Sequence, residues 1–244
     1  RDDDGALAGR FFARALYGEH PYARPVGGTK ESIERYSGAL ARAWFRHYVV
    51  SGNLLYGIAG ALSAGEAEAL LRRHFAGPAA TLSPGPARDP KFDSPKGPTS
   101  DRLRVVVVDK PNRTQSQIYV GQLAPHWRDR HYLPLLIGTM AFGGTFTSRL
   151  MDEVRVKRGL SYGASARLGN GRGARGLVCS VMPSAHQTGE TLDLVLRLYR
   201  EWAEGGLRSD EIAFAKGYLQ KSHAFTIQTA DDRLALRTRL QKAL

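Results

Sequence analysis

The sequence predicts an α+β fold, and three observations carry that reading. Candidate strands and helices alternate irregularly and are joined by hairpin-like turns, a pattern that favours α+β over a parallel doubly wound sheet. Residues 77–100 hold six prolines and three glycines with almost no apolar content, so the apolar sequence falls into two blocks around an extended linker. At 244 residues, 42% hydrophobic and 24% charged, the chain is long enough for one large domain or two medium ones, and wholesale disorder is excluded. No apolar run approaches the ~18 residues a membrane span needs.

In the first block, Ser37 is placed to cap a helix whose Leu40, Ala43, Trp44, His47 and Tyr48 share one face. The apolar stretch 53–59 reads as a buried strand. Ser63-Ala64-Gly65-Glu66 is a capping box, opening a helix that should end near Phe75. In the second block, residues 104–109 contain four consecutive valines and read as a strong buried strand, and residues 115–123 as a second. A mostly apolar helix is expected over 131–142, broken by Gly143-Gly144. Thr145 or Thr147 should cap the next helix, which runs to about Lys157, with Gly159 ending it in a left-handed conformation. Two strands, 160–168 and 177–182, flank the glycine-rich turn 169–176. Helices follow over 188–203, from the Ser209 cap to about Phe225, and on to Leu244.

Charge narrows the function classes only slightly. There are 35 basic and 23 acidic residues, a formal +12, and residues 104–176 carry twelve of the bases against four acids. Such a stretch can attract an anion, dock on an acidic partner or lie solvated. Nucleic-acid binding by this stretch is the weakest option and predicts steeply salt-dependent binding to any duplex; the reading is no nucleic-acid partner.

Several motifs fail on context. Gly171-Arg172-Gly173-Ala174-Arg175-Gly176 spells G-x-G-x-x-G, but a dinucleotide site must follow a strand and open a helix, and this run leads into a strand. His126 and His131 are five apart, without the i, i+4 spacing of a zinc helix. Cys179 is the sole cysteine, which excludes an internal disulfide and a cysteine zinc cluster; its apolar strand makes it a small core residue. Neither H-E-x-x-H nor H-x-x-E-H is present, and no metal ligands are assigned.

One constellation survives. In residues 143–162 a glycine pair, Gly143-Gly144, lets a backbone approach closely, a capped helix follows, and Arg155 falls in its last turn. Tyr162 comes seven residues later at the start of the next strand, so the helix–strand junction can bring a guanidinium and a phenol to one rim. Both donate hydrogen bonds to a carbonyl or oxyanion. The same residues also suit structural roles, Arg155 against the helix dipole and Tyr162 as a β-favouring residue.

Residues 143–162 closely resemble the second-half signature of the pitrilysin/insulinase-type zinc metallopeptidases, which include the mitochondrial processing peptidase and its bacterial relatives. The run Leu16-Tyr17-Gly18-Glu19-His20-Pro21-Tyr22-Ala23-Arg24-Pro25, with Gly28-Thr29, is similar to the segment that follows the zinc region in the first half. The resemblance implies two similar halves, each a mostly antiparallel sheet with helices packed on it: residues 1–78 as the later part of the first, 79–103 as the linker, and 104–244 as the second, both truncated. It implies a zinc site with H-x-x-E-H and a downstream glutamate ligand in the first half, and a substrate-binding Arg/Tyr pair in the second. Arg155 and Tyr162 match that pair and are the catalytic residues the resemblance implies, Tyr162 hydrogen-bonding the developing oxyanion and Arg155 holding the substrate, with Gly143 and Gly144 beside them as substrate-binding residues.

Arg1 begins where the family has already passed its zinc ligands, and Leu244 stops before the second half is complete. The resemblance therefore implies the middle of a longer protein, or a subunit whose zinc sits on another chain. The expected function is hydrolysis of extended peptides by a homo- or heterodimer with a zinc-carrying subunit, this chain alone binding no zinc and hydrolysing nothing. The rival expectation is a catalytically inactive structural or assembly subunit of the same fold. The compartment stays open between bacterial periplasm and cytoplasm.

Overall fold

The structure is a computed structural model and describes residues 3–76, 93–97 and 103–241. Among these, the helices are α1 (Asp4–Tyr17), α2 (Lys30–Glu34), α3 (Gly38–Tyr48), α4 (Ala64–Leu71), α5 (Tyr132–Thr139), α6 (Arg149–Met151), α7 (Thr188–Gly205), α8 (Ser209–His223) and α9 (Ala230–Gln241). The strands are β1 (Ile118–Leu123), β2 (Ser161–Leu168) and β3 (Gly176–Pro183). The α+β expectation holds: one antiparallel sheet of order β1-β3-β2, with helices packed on it.

By contacts the chain groups into two units, Arg1–Gly27 with Asp93–Leu219, and Gly28–Phe92 with Gln220–Leu244. This grouping cuts across the two sequence blocks, because the first helix packs on the sheet of the second block. Most of the expected linker, 79–103, lies outside the described residues.

In the first unit the sheet alternates sides. Val120 pairs with Cys179 and Cys179 with Ala166, and these residues face a core of Phe142, Leu150, Val154, Leu160, Ala164, Val181, Leu194, Val195 and Leu198. α7 supplies its share through Thr191, Leu194, Val195 and Leu198, a spacing that keeps one helical face buried. Phe142 stacks on Trp202 with centroids 4.5 Å apart, and the missing side chain of Gly138 makes room for that indole. On the other face, α1 lays Phe12 against Tyr119 at 5.8 Å, and the Tyr119 hydroxyl donates to the Gly5 carbonyl. α1 begins with Asp3 accepting the Ala6 amide and ends at Gly18, whose positive φ of 56° lets its N–H return to Arg14.

The second unit is helical. Ser37 caps α3, and Ser63 with Glu66 forms both halves of the capping box of α4. Val50 is buried, Tyr56 packs on Phe75 at 4.7 Å, and Leu234 of α9 fills the space beside Gly57.

Two expected strands are corrected. Residues 53–59 and 104–109 form no strand; Leu55, Tyr56 and Ile58 are exposed, and so is every valine from Val105 to Val108. Their composition suits a pleated surface, but a strand exists only where a neighbour completes the ladder, and the described residues offer these segments none. The other strands match expectation, with β1 starting at Ile118 while Gln115 makes an isolated bridge to Ser184.

Candidate functional site

Residues 140–162 build a helix–turn–helix–strand path along one end of the first unit. α5 continues into a π-helical turn, Met140–Gly144, which packs tightly on β2. Gly143 is buried, and a Cβ there would lie 2.5 Å from the Ala166 Cβ and 2.6 Å from its amide nitrogen. At Gly144 a Cβ would lie 2.5 Å from the Met140 sulfur. What approaches this glycine pair in the structure is therefore β2 and the preceding helical turn.

The cap of the next helix is Ser148, in place of the expected Thr145 or Thr147. Its carbonyl accepts the Asp152 N–H at 2.9 Å, and its buried hydroxyl donates to the Thr145 carbonyl at 2.6 Å. Arg149 then reaches across to α8. Its Nε and Nη2 donate to the two Glu211 oxygens at 2.9 and 2.6 Å, and Nη2 also to the Gly206 carbonyl at 3.2 Å. Burial opposes ionisation of Glu211, but hydrogen bonds from Arg149 and from the Arg208 amide outweigh it and hold the carboxyl below its ordinary value of 4.5. The sequence carries no signal for this pair, which is 62 residues apart.

Past α6 the backbone widens into a second π-helical turn, Asp152–Val156, and ends at Gly159 with φ 62°, the left-handed stop read from the sequence. Gly159 N–H returns to the Arg155 carbonyl and Leu160 N–H to that of Val154, turning the chain directly into β2. This turn brings the Arg155 guanidinium over the Tyr162 ring, 4.7 Å from its centroid. Tyr162 is 86% exposed, so the pair stands on the surface rim. The nearby carboxylates are occupied by other bases: Lys157 binds Asp152 and Glu153 at 2.9 and 2.6 Å, and Arg158 binds Glu153. Among the described residues Arg155 makes no ion pair, which leaves N–H groups of the guanidinium over the ring available.

The remaining candidates have local roles. Gly171–Gly176 belongs to the β2–β3 hairpin: Tyr17 Oη accepts the Gly176 amide at 3.1 Å, and the Arg175 guanidinium lies 3.4 Å over Tyr22. The segment Leu16–Pro25 thus meets the glycine turn. His126 Nδ1 accepts the Arg128 amide, and His131 pairs with Asp129 at 2.9 Å. Cys179 is buried in the core, and burial pushes its thiol up to about 12. In the basic stretch Lys110, Arg113, Arg149, Lys157 and Arg158 are all held by carboxylates. Among the described residues no three His, Cys, Asp or Glu gather as a metal site, so the zinc implied by the family finds no ligand set there. Nor is any described helix long and apolar enough to cross a membrane.

The first unit is thus a helix-backed antiparallel α+β domain with an arginine and a tyrosine meeting on its rim. The chain belongs to the peptidase M16 inactive domain family, whose model matches residues 39–219. It is 27% identical over 226 residues to an uncharacterized zinc protease of Mycobacterium leprae, covering 90% of this chain and 48% of that protein. It is 24% identical over 231 residues to a Helicobacter pylori protein named a non-peptidase homolog, covering 93% of this chain and 51% of that one. A peptidase M16 inactive domain structure from Pseudomonas fluorescens superposes with a TM-score of 0.84 at 28% identity, over 96% of this chain and 54% of that one. The chain spans about half the length of the curated relatives it matches.

Proposed function

We propose that this chain is the substrate-holding part of a zinc metalloendopeptidase of the pitrilysin/insulinase, processing-peptidase-like type. Its H-x-x-E-H site lies elsewhere in the parent protein or on a partner subunit. In this reading residues 1–78 belong to the first peptidase-like half, 79–103 to the linker and 104–244 to the second half. The single observation that carries the proposal is the half-buried Arg155 guanidinium lying over the exposed Tyr162 ring. With the guanidinium over the ring, its N–H groups and the phenol O–H are placed to donate to one main-chain carbonyl of an extended peptide. Because they read backbone, the pair accommodates peptides of broad sequence. Gly143 and Gly144 support the frame by admitting β2 and the preceding turn. Zinc, which relatives carry in their names, supplies the hydrolytic chemistry at a site outside the described residues.

The test is Arg155→Ala and Tyr162→Phe in the full assembly with its zinc-carrying part. Each is expected to lower kcat/KM for a long peptide by ~10²–10³, the loss typical of one oriented donor. The isolated chain is expected to hydrolyse nothing and to bind no stoichiometric zinc; zinc binding with turnover by it alone refutes the assignment. The second reading is a catalytically inactive assembly subunit, favoured by the Helicobacter pylori relative's description as a non-peptidase homolog. It predicts that Arg155→Ala leaves the function of the assembly intact.

A further inference from the structure

We infer that Ser161 is a positioning residue for Tyr162, its hydroxyl pinning a β-bulge that aims the phenol at Arg155. The inference rests on the substrate-holding role of that pair. Along β2 the pairing with β3 runs regularly from Leu168 back to Ala164, opposite Val181, and then slips: Ser161 stands opposite Pro183. Tyr162 and Gly163 together therefore face Met182 alone. Ser161 and Ala164 are three apart, an odd spacing that puts residues on opposite faces of a regular strand, yet both are buried. The extra residue reconciles them. It bends the strand at its first turn, next to the helix end that carries Arg155.

A bulge breaks the ladder and leaves backbone groups without their usual partners. The Ser161 hydroxyl satisfies them. Its oxygen accepts the Met182 amide at 3.2 Å and the Gly163 amide at 3.3 Å, filling both lone pairs. Its single proton is shared between the Gly163 carbonyl at 2.7 Å and the Met182 carbonyl at 3.0 Å. One buried hydroxyl thus ties the bulged residue to the strand it has slipped from. Tyr162, being 86% exposed, has little packing to hold its ring, so its direction depends on this backbone geometry and on the Arg155 stack.

Two measurements test the inference, one independent of activity. In this chain, proton NMR reads the upfield ring-current shift of the Arg155 Cδ protons over Tyr162. Ser161→Ala should abolish at least half of that shift while the slow thiol labelling of Cys179 reports an intact core; Ser161→Thr, which keeps the hydroxyl, should retain it. In the full assembly Ser161→Ala should raise KM for a long peptide ~10-fold, with kcat falling less, and should add nothing in a Tyr162→Phe background. An unchanged ring-current shift in folded Ser161→Ala overturns the inference even if Tyr162→Phe is crippled. If Tyr162→Phe costs no activity while Ser161→Ala still moves the shift, the geometric coupling stands and the substrate-holding role falls. Should Ser161→Thr fail to fold, the Ser161→Ala shift decides alone.

Discussion

Residues 104–109 and β3 make an instructive pair within one unit. The first has four consecutive valines, the stronger β-forming composition; β3 is interrupted by a glycine, a cysteine, a serine and a methionine. Yet β3 is the central strand, hydrogen-bonded on both sides, with Cys179 and Val181 each 1% exposed, while Val107 is 84% exposed and unpaired in any described ladder. Burial, then, follows from neighbours on both edges and a helix on the face, and valine content alone does not confer it. β-Propensity measures fit to a pleated, half-covered surface and is silent on whether that surface exists.

The sharpest way to break this contrast is to remove side chains from each region. Phe142 is fully buried and stacked on Trp202, so Phe142→Ala leaves a cavity and should destabilise the first unit by about 3–5 kcal/mol. Val107→Ala removes an exposed side chain and should stay within about 0.5 kcal/mol. Urea unfolding of both variants checks the pair of values. A comparable loss at Val107 would mean that the valine run carries packing and that the contrast is wrong.

Polar groups show the same division, which bears on what could be read from the sequence. Ser37, the Ser63–Glu66 capping box and the left-handed Gly159 were legible because each acts within a few residues of itself. The spacing of Arg155 and Tyr162 was legible for the same reason, the junction between them being short. The Arg149–Glu211 bridge, the seating of α1 on the sheet and the lack of a strand partner for residues 104–109 among the described residues were not, because each depends on which distant segment arrives. The displaced cap is an intermediate case. Thr145, Thr147 and Ser148 all carry the right side chain, and only the backbone path, with the Asp152 amide returning to the Ser148 carbonyl, selects among them.

Arg149–Glu211 extends the comparison to charge. With the two side chains 16% and 9% exposed, removing one partner strands the other, and Arg149→Met should cost about 3 kcal/mol. Breaking Arg72–Glu68, an exposed pair, should leave the unfolding midpoint unchanged. The bridge also sets a pH dependence. Glu211 titrates below its ordinary value of 4.5 when folded, so its stabilisation is fully present above that value and is lost as pH falls through the lower folded value. Glu211→Gln should flatten that part of the acid limb; an unchanged limb would show that other carboxylates control it.

The smallest expected effect concerns Cys179, which reports on the covered sheet without disturbing it. A thiol pushed up to about 12 by burial carries almost no thiolate at pH 8, and no reagent reaches it while β3 is covered. Labelling should therefore proceed only through opening of the core and slow down in step with stability. A cysteine placed at the exposed position by Val107→Cys should label at the rate of an unfolded peptide. Because the two thiols would lie in one chain, their rate ratio compares the covered and uncovered segments directly under native conditions. If the ratio stays near one in the folded protein, then either Cys179 is reached without unfolding or the valine run is covered in solution, and Phe142→Ala distinguishes these: it should accelerate labelling of Cys179 and leave the other thiol unaffected.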